Sequence, residues 1–194
     1  MNRMILIDGV EASGKTTLIN KLKAEHPEWS FVKCPSTDLI NARFSEMISD
    51  DFLNLKIFVD DLVQEVRELF AGKNNTTLVF DRGFLSTLVF QGKGRHIVDY
   101  IWESWAKLFR ELKIDFENSA TILMLNPILN AERQGKRHSH GEIHAIGKAS
   151  DLFAKHAMDD RMPMAFYCYD ANIKNYDWCS YNDVATEVFE IARR

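Results

Sequence analysis

Short apolar runs alternate along the chain with longer stretches in which hydrophobic residues recur every three or four positions. Met4–Asp8, Ser30–Cys34, Thr77–Asp81, Thr121–Asn126 and Ala165–Tyr169 are the short runs. Most lack polar alternation, the pattern of strands buried on both faces. Ile97, Ile101, Trp105, Leu108 and Leu112 are spaced by four, four, three and four residues and predict one helical stripe. Phe58, Leu62, Val66 and Leu69 predict another, and Asn182 is placed to cap a last helix running to the C-terminus. This alternation predicts an α/β fold in three layers, a five-stranded parallel sheet with helices on both faces. Ligands of such folds sit at the carboxyl ends of the strands.

The first of those ends carries Gly9-Val10-Glu11-Ala12-Ser13-Gly14-Lys15-Thr16-Thr17. Two glycines bracket four residues, then Lys and Thr follow, the spacing of a phosphate-binding loop (P-loop) between strand and helix. Glycines permit the dihedrals that turn successive backbone N–H groups inward around phosphate oxygens. Lys15 supplies a point charge for the outer phosphates, Thr16 a hydroxyl for Mg²⁺, and the helix its positive end. The third strand ends in Asp81, a carboxylate that beside a phosphate loop reads as a second Mg²⁺ partner. Nucleotide and metal chemistry is thus expected at one rim of the sheet.

Composition adds limits. The 194 residues read as one domain spanning 1–194, since no repeat, low-complexity tract or Pro/Gly/Ser linker divides them. With 46% hydrophobic residues, 13 Phe, 5 Tyr and 4 Trp, material for a core is ample and wholesale disorder is excluded. A net charge of -4 does not mark a general nucleic-acid or membrane binder. No apolar run approaches the roughly 20 residues that span a bilayer. Cys34, Cys168 and Cys179 lack metal-ligand spacing and read as reduced thiols, so the expected location is cytoplasmic.

These motifs resemble the thymidylate kinase family of nucleoside monophosphate kinases. The phosphate loop matches with an acidic residue at its third position, and Asp81-Arg82-Gly83-Phe84-Leu85-Ser86-Thr87-Leu88-Val89-Phe90-Gln91-Gly92 is similar to the family's second signature. Pro127, Arg133 and Arg137 fall at its spacing after the fourth strand; Gly141-Glu142-Ile143 and Ser150-Asp151-Leu152-Phe153 resemble its lid, here about 133–150. The resemblance implies transfer of the ATP γ-phosphoryl group to a nucleotide with Mg²⁺ on Thr16 and Asp81. It implies ATP binding by residues 9–17 and Arg133, with Lys15, Arg82 and Arg137 as the catalytic cations. Glu11, Phe58, Arg82, Ser86, Thr87, Phe90 and Gln91 would hold the acceptor, Glu11 through the sugar hydroxyl and Phe58 by stacking on the base. A homodimer is a further implication.

The sequence departs from the family in places that bear on the acceptor. Ala12 and Ala145 stand where members carry a loop or lid arginine, so the transition-state cation falls to Arg137, Lys136 or Lys148. Leu62 occupies the base-reading arginine's place, Gly83 the place of a Tyr, and no arginine directly follows Cys34-Pro35. A wider acceptor pocket is one expectation from Gly83. Phe58 and Leu62 also suit plain core packing, the preferred reading for Leu62, and Trp102 and Trp105 suit core or interface. Arg133 and Arg137, four apart, equally suit surface ion pairs. His138, His140 and His144 have no further ligand beside them and read as lid rather than zinc site. The basic strip 133–148, with Lys93 and Arg95, suits a lid over ATP or contact with a nucleic-acid backbone. Two alternatives therefore keep the ATP site and change the acceptor: a hydroxymethylpyrimidine in modified DNA, or a deoxynucleoside. A third is a nucleotide-binding regulatory module without turnover.

Overall fold

A computed structural model describes residues 1–11, 13–45, 51–92, 94–124, 139–157, 159–162 and 164–169. Ala12, Lys93, Asn126, Pro127, Arg133, Lys136, Arg137, His138, Cys179 and the helix predicted after Asn182 lie outside the described residues, as do the side chains of His140, Glu142 and Cys168.

Five strands form one parallel sheet in the order β2-β3-β1-β4-β5. They are β1 (Arg3–Gly9), β2 (Ser30–Lys33), β3 (Thr77–Asp81), β4 (Ala120–Met124) and β5 (Ala165–Tyr169). β1 lies at the centre, pairing Ile7 with Asp81 on one side and Gly9 with Met124 on the other. The predicted sheet is therefore present, with small shifts at strand ends. β2 stops at Lys33, because Pro35 offers no N–H to continue the ladder. Cys34 still donates its N–H to the Asp81 carbonyl at 3.1 Å.

The two-residue period of β1 divides its side chains between two cores. Ile5 and Ile7 pack with Val79, Ile122 and Met124 against Leu18, Ile19 and Leu22 of α1 (Lys15–Glu25). Met4 and Leu6 face the larger core, built with α3 (Asp51–Phe70), α4 (Phe84–Gln91), α5 (Arg95–Glu111) and α6 (His140–Ala157); α2 (Thr37–Ser45) packs on α3. Both faces are covered, which is why the strand runs show no polar alternation.

The helical stripes fall as expected. Ile97, Ile101, Trp105 and Leu108 are buried on α5, and Leu112 caps that helix with its N–H on the Leu108 carbonyl at 2.9 Å. On α3, Leu62 and Val66 are buried while Phe58 and Leu69 are half-buried against the same core. Trp102, Trp105 and Phe109 surround the Phe84 ring at centroid distances of 5.0, 5.5 and 5.8 Å. The two tryptophans are core residues. None of the described helices is long and apolar enough to cross a membrane.

Candidate active site

β1 leaves the sheet at Gly9, whose φ is +133°. A Cβ there would lie 2.0 Å from the Met124 carbonyl oxygen of β4, so only glycine allows the two backbones to approach. Gly14, at φ +96°, turns the chain into α1 in a left-handed conformation. The glycines of the loop thus have separate tasks, one in the sheet and one at the helix entrance. Ser13 is buried, Glu11 is exposed, and Thr16 and Thr17 are exposed on the first turn of α1.

Lys15 is 7% exposed and curls back over its own loop. Its Nζ donates to the Gly9 carbonyl at 3.1 Å, to the Val10 carbonyl, and to Ser13 Oγ at 3.3 Å. Burial pulls its pKa down to about 8, and the Arg82 cation pulls the same way; Asp81, Asp8 and Glu11 oppose them.

Arg82 follows β3 at φ +76°, a left-handed conformation that costs a side-chain-bearing residue roughly 1–2 kcal/mol. Its N–H donates to the Ile7 carbonyl at 3.0 Å, and its Nη1 to the Gly9 carbonyl at 3.3 Å. Its guanidinium lies over the Phe90 ring, 5.7 Å from the centroid. Phe90 in turn meets Phe153 of α6 edge-on at 5.9 Å. Asp81 is half-buried at the end of β3, close enough to the loop to act on Lys15.

Asp8 is the functional candidate that sequence reasoning passed over. It is fully buried, and its Oδ1 accepts from the Gly83 N–H at 3.0 Å, the Ser86 N–H at 3.2 Å and the Ser86 hydroxyl. Burial pushes its pKa up, while the Ser86 and Gly83 bonds and the Arg82 charge pull it down. The available signal was a carboxylate closing an otherwise apolar strand directly before the phosphate loop.

The predicted acceptor residues divide into two groups. Ser86 and Thr87 are buried in the first turn of α4, and the Ser86 hydroxyl is bound to Asp8. Phe90 and Gln91 are exposed on the last turn of the same helix. Leu62 is fully buried in the larger core. A Cβ on Gly83 would come within 3.0 Å of Asp8 Oδ2 and 3.1 Å of Leu6 Cδ2, so the glycine makes room for those two groups. His144 and Ala145 are exposed on α6. Among the described residues, no three His, Cys, Asp or Glu side chains are grouped to hold a metal ion.

No protein-family model matches the chain. A curated relative, "Probable thymidylate kinase 1" of Saccharolobus solfataricus, is 28% identical over 185 residues, covering 89% of this chain and 90% of its own length. Among solved structures, thymidylate kinase from Candida albicans superposes with a TM-score of 0.58 at 18% identity, over 99% of this chain and 91% of that one. Thymidylate kinase from Ehrlichia chaffeensis also gives 0.58 at 18% identity, over 98% of each chain. YorR protein from Bacillus subtilis, solved in complex with phosphorylated GDP, gives 0.57 at 17% identity over 98% of this chain and 95% of that one. In fold the chain is similar to these thymidylate kinases, and it carries a phosphate-loop sequence with an aspartate–arginine turn beside it.

Proposed function

We propose that the chain transfers the γ-phosphoryl group of ATP to a nucleoside monophosphate, with a base preference of its own. The observation that carries this reading is the meeting of Lys15 and Arg82 on the Gly9 carbonyl. Phosphoryl transfer asks a protein mainly to position two anions and neutralise charge spreading over equatorial oxygens. Lys15 would serve the donor phosphates. Arg82, with its planar fork of donors, suits the acceptor phosphate better than a lysine would. A hydroxyl on Thr16 and a carboxylate on Asp81, both oxygen donors next to the loop, fit Mg²⁺, which takes few protein ligands and fills its shell with phosphate and water. When bound, the ion would neutralise the transferring phosphates.

The burial of Leu62 favours a base other than thymine. Leu62 is closed inside the core, so no donor on α3 reaches a base carbonyl from that position. Of the remaining candidates, Phe58 is half-buried, whereas Phe90, beneath the Arg82 guanidinium, and Gln91 are exposed on α4. The same observation keeps a hydroxymethylpyrimidine in DNA, or a deoxynucleoside, as the second acceptor reading. A cytoplasmic homodimer accompanies the proposal, and light scattering of the purified protein checks the dimer.

Radiolabelled ATP with a panel of purine and pyrimidine monophosphates, deoxynucleosides and modified oligonucleotides decides the matter. Label on one or more monophosphates is expected. Label on DNA or nucleosides alone would replace the acceptor, and ATP binding without any transfer would turn the protein into a regulatory module.

A further inference from the structure

We propose that Asp8 is a positioning residue for phosphoryl transfer, clamping the Arg82–Ser86 turn so that the Arg82 guanidinium stays at the rim of the phosphate loop. The inference rests on the acceptor-phosphate role given to Arg82 above. Three consecutive residues of β1 carry the argument. Ile7 accepts the Arg82 N–H, Asp8 accepts the Gly83 N–H, and Gly9 accepts Arg82 Nη1. One strand therefore becomes the phosphate loop and also fixes the arginine that faces it.

Packing alone does not call for an acid at this place. Asp8 is fully buried and its neighbour in β4 is Leu123. A buried carboxylate carries a desolvation penalty that an apolar residue would avoid. Its Oδ1 gathers three hydrogens, all from the segment that follows Arg82. Gly83, the residue preceding α4, has no side chain to cap that helix, and Asp8 reaches across from β1 to do so. The clamp also stabilises a backbone that Arg82 adopts only under constraint, at φ +76°. Oδ2 has no hydrogen-bond partner and lies against the Gly83 backbone. Asp8 thus acts through the turn, to which all three of its Oδ1 hydrogen bonds go.

A double-mutant cycle with Arg82 tests this. Asp8→Ala should lower kcat about ten- to hundredfold, the cost of a misplaced catalytic group. ATP affinity by calorimetry should stay within about twofold, the scatter expected of uncoupled sites. Asp8→Asn, which keeps an oxygen acceptor for Gly83 and Ser86, should restore most of the rate. In an Arg82→Ala background, Asp8→Ala should cause no further loss. Losses that simply multiply, or ATP affinity falling in step with kcat, would overturn the clamp. If Asp8→Ala does not fold, Ser86→Ala, which removes one of the three hydrogens on Asp8 Oδ1, carries the same cycle with a smaller effect. A second readout needs no turnover: the Arg82 Nε–Hε NMR signal should be distinct in the wild-type protein and collapse to the solvent-averaged position in Asp8→Ala, while the Gly14 amide stays put. An unmoved Arg82 signal sinks the inference. Absence of transfer to every monophosphate, with the signal shifting as described, sinks only the acceptor assignment.

Discussion

Lys15 Nζ and Arg82 Nη1 share one acceptor, the Gly9 carbonyl oxygen, at 3.1 and 3.3 Å. The two cations come from segments 67 residues apart in sequence, α1 and the turn after β3, and the sheet brings them together. In a crowded, water-poor corner they repel each other, which is part of why the Lys15 ammonium holds its proton weakly. An anion placed between them relieves that repulsion.

Nucleotide affinity should therefore depend on pH in a defined sense. Free Lys15 loses its proton at about pH 8, and bound phosphate favours the charged form, raising the pKa in the complex. Binding then takes up a proton above about pH 8 and none below it. The ATP dissociation constant should be flat up to about pH 8 and rise beyond it, at most about tenfold per unit. Calorimetry at pH 7 to 9.5, in buffers of different ionisation enthalpy, reads both the affinity and the proton. A flat affinity across that range would contradict the account.

Lys15→Ala should separate folding from chemistry. Removing the ammonium takes away a buried charge, so the thermal midpoint should hold or rise. Transfer should fall by on the order of 10²–10³, the loss typical of one preorganised charge-stabilising donor. Circular dichroism and initial rates on the same preparation check the pair. Normal activity in this variant would move the site elsewhere.

Leu62→Arg places the family's arginine at its expected position and should still fail to create thymine preference. Leu62 is fully buried between α3 and the sheet, so the new charge would have neither water nor a partner. Loss of soluble folded protein is expected. Leu62→Ala should cost about 2–5 kcal/mol in urea unfolding, with the order of acceptor preference unchanged. A folded Leu62→Arg protein that selects thymidylate would place Leu62 at the base after all.

Gly9→Ala should be among the most damaging single-methyl changes. The added Cβ would meet the Met124 carbonyl at 2.0 Å, in a backbone conformation that alanine avoids. A loss of about 3 kcal/mol or more in urea unfolding is expected. A variant with wild-type stability would mean that β1 and β4 part more easily than their spacing suggests.

What could be read from the sequence was whatever is contiguous. The phosphate loop keeps its residues in one segment, and β3 and β5 have the predicted bounds because Thr77–Asp81 and Ala165–Tyr169 are short apolar runs. The α5 stripe was legible for the same reason, its burial being written in the spacing of Ile97, Ile101, Trp105 and Leu108. Asp8 was not legible as a clamp, since its partners Gly83 and Ser86 lie 75 and 78 residues downstream. Gly83 has a role of the same non-local kind. Read against a family Tyr it suggests a larger pocket, whereas its missing side chain accommodates Asp8 and Leu6. Ser86, which the resemblance places at the polar edge of the base, has its hydroxyl on that carboxylate. Pairings across the sheet decide these roles, and no local pattern encodes them.

All five strands point the same way, which gives the molecule a working end and a plain end. The connection from Ala71 to Asn75, between α3 and β3, is exposed and belongs to the plain end. A Cβ on Gly72 meets nothing within 4 Å. A fluorophore or affinity handle inserted there would sit at least the length of β3 away from Asp81, about 13 Å at 3.3 Å per residue. Lengthening a surface connection carries only a slowly growing entropic cost. The protein can thus be tethered to a surface or a reporter by that connection, with its catalytic rim facing freely into solution.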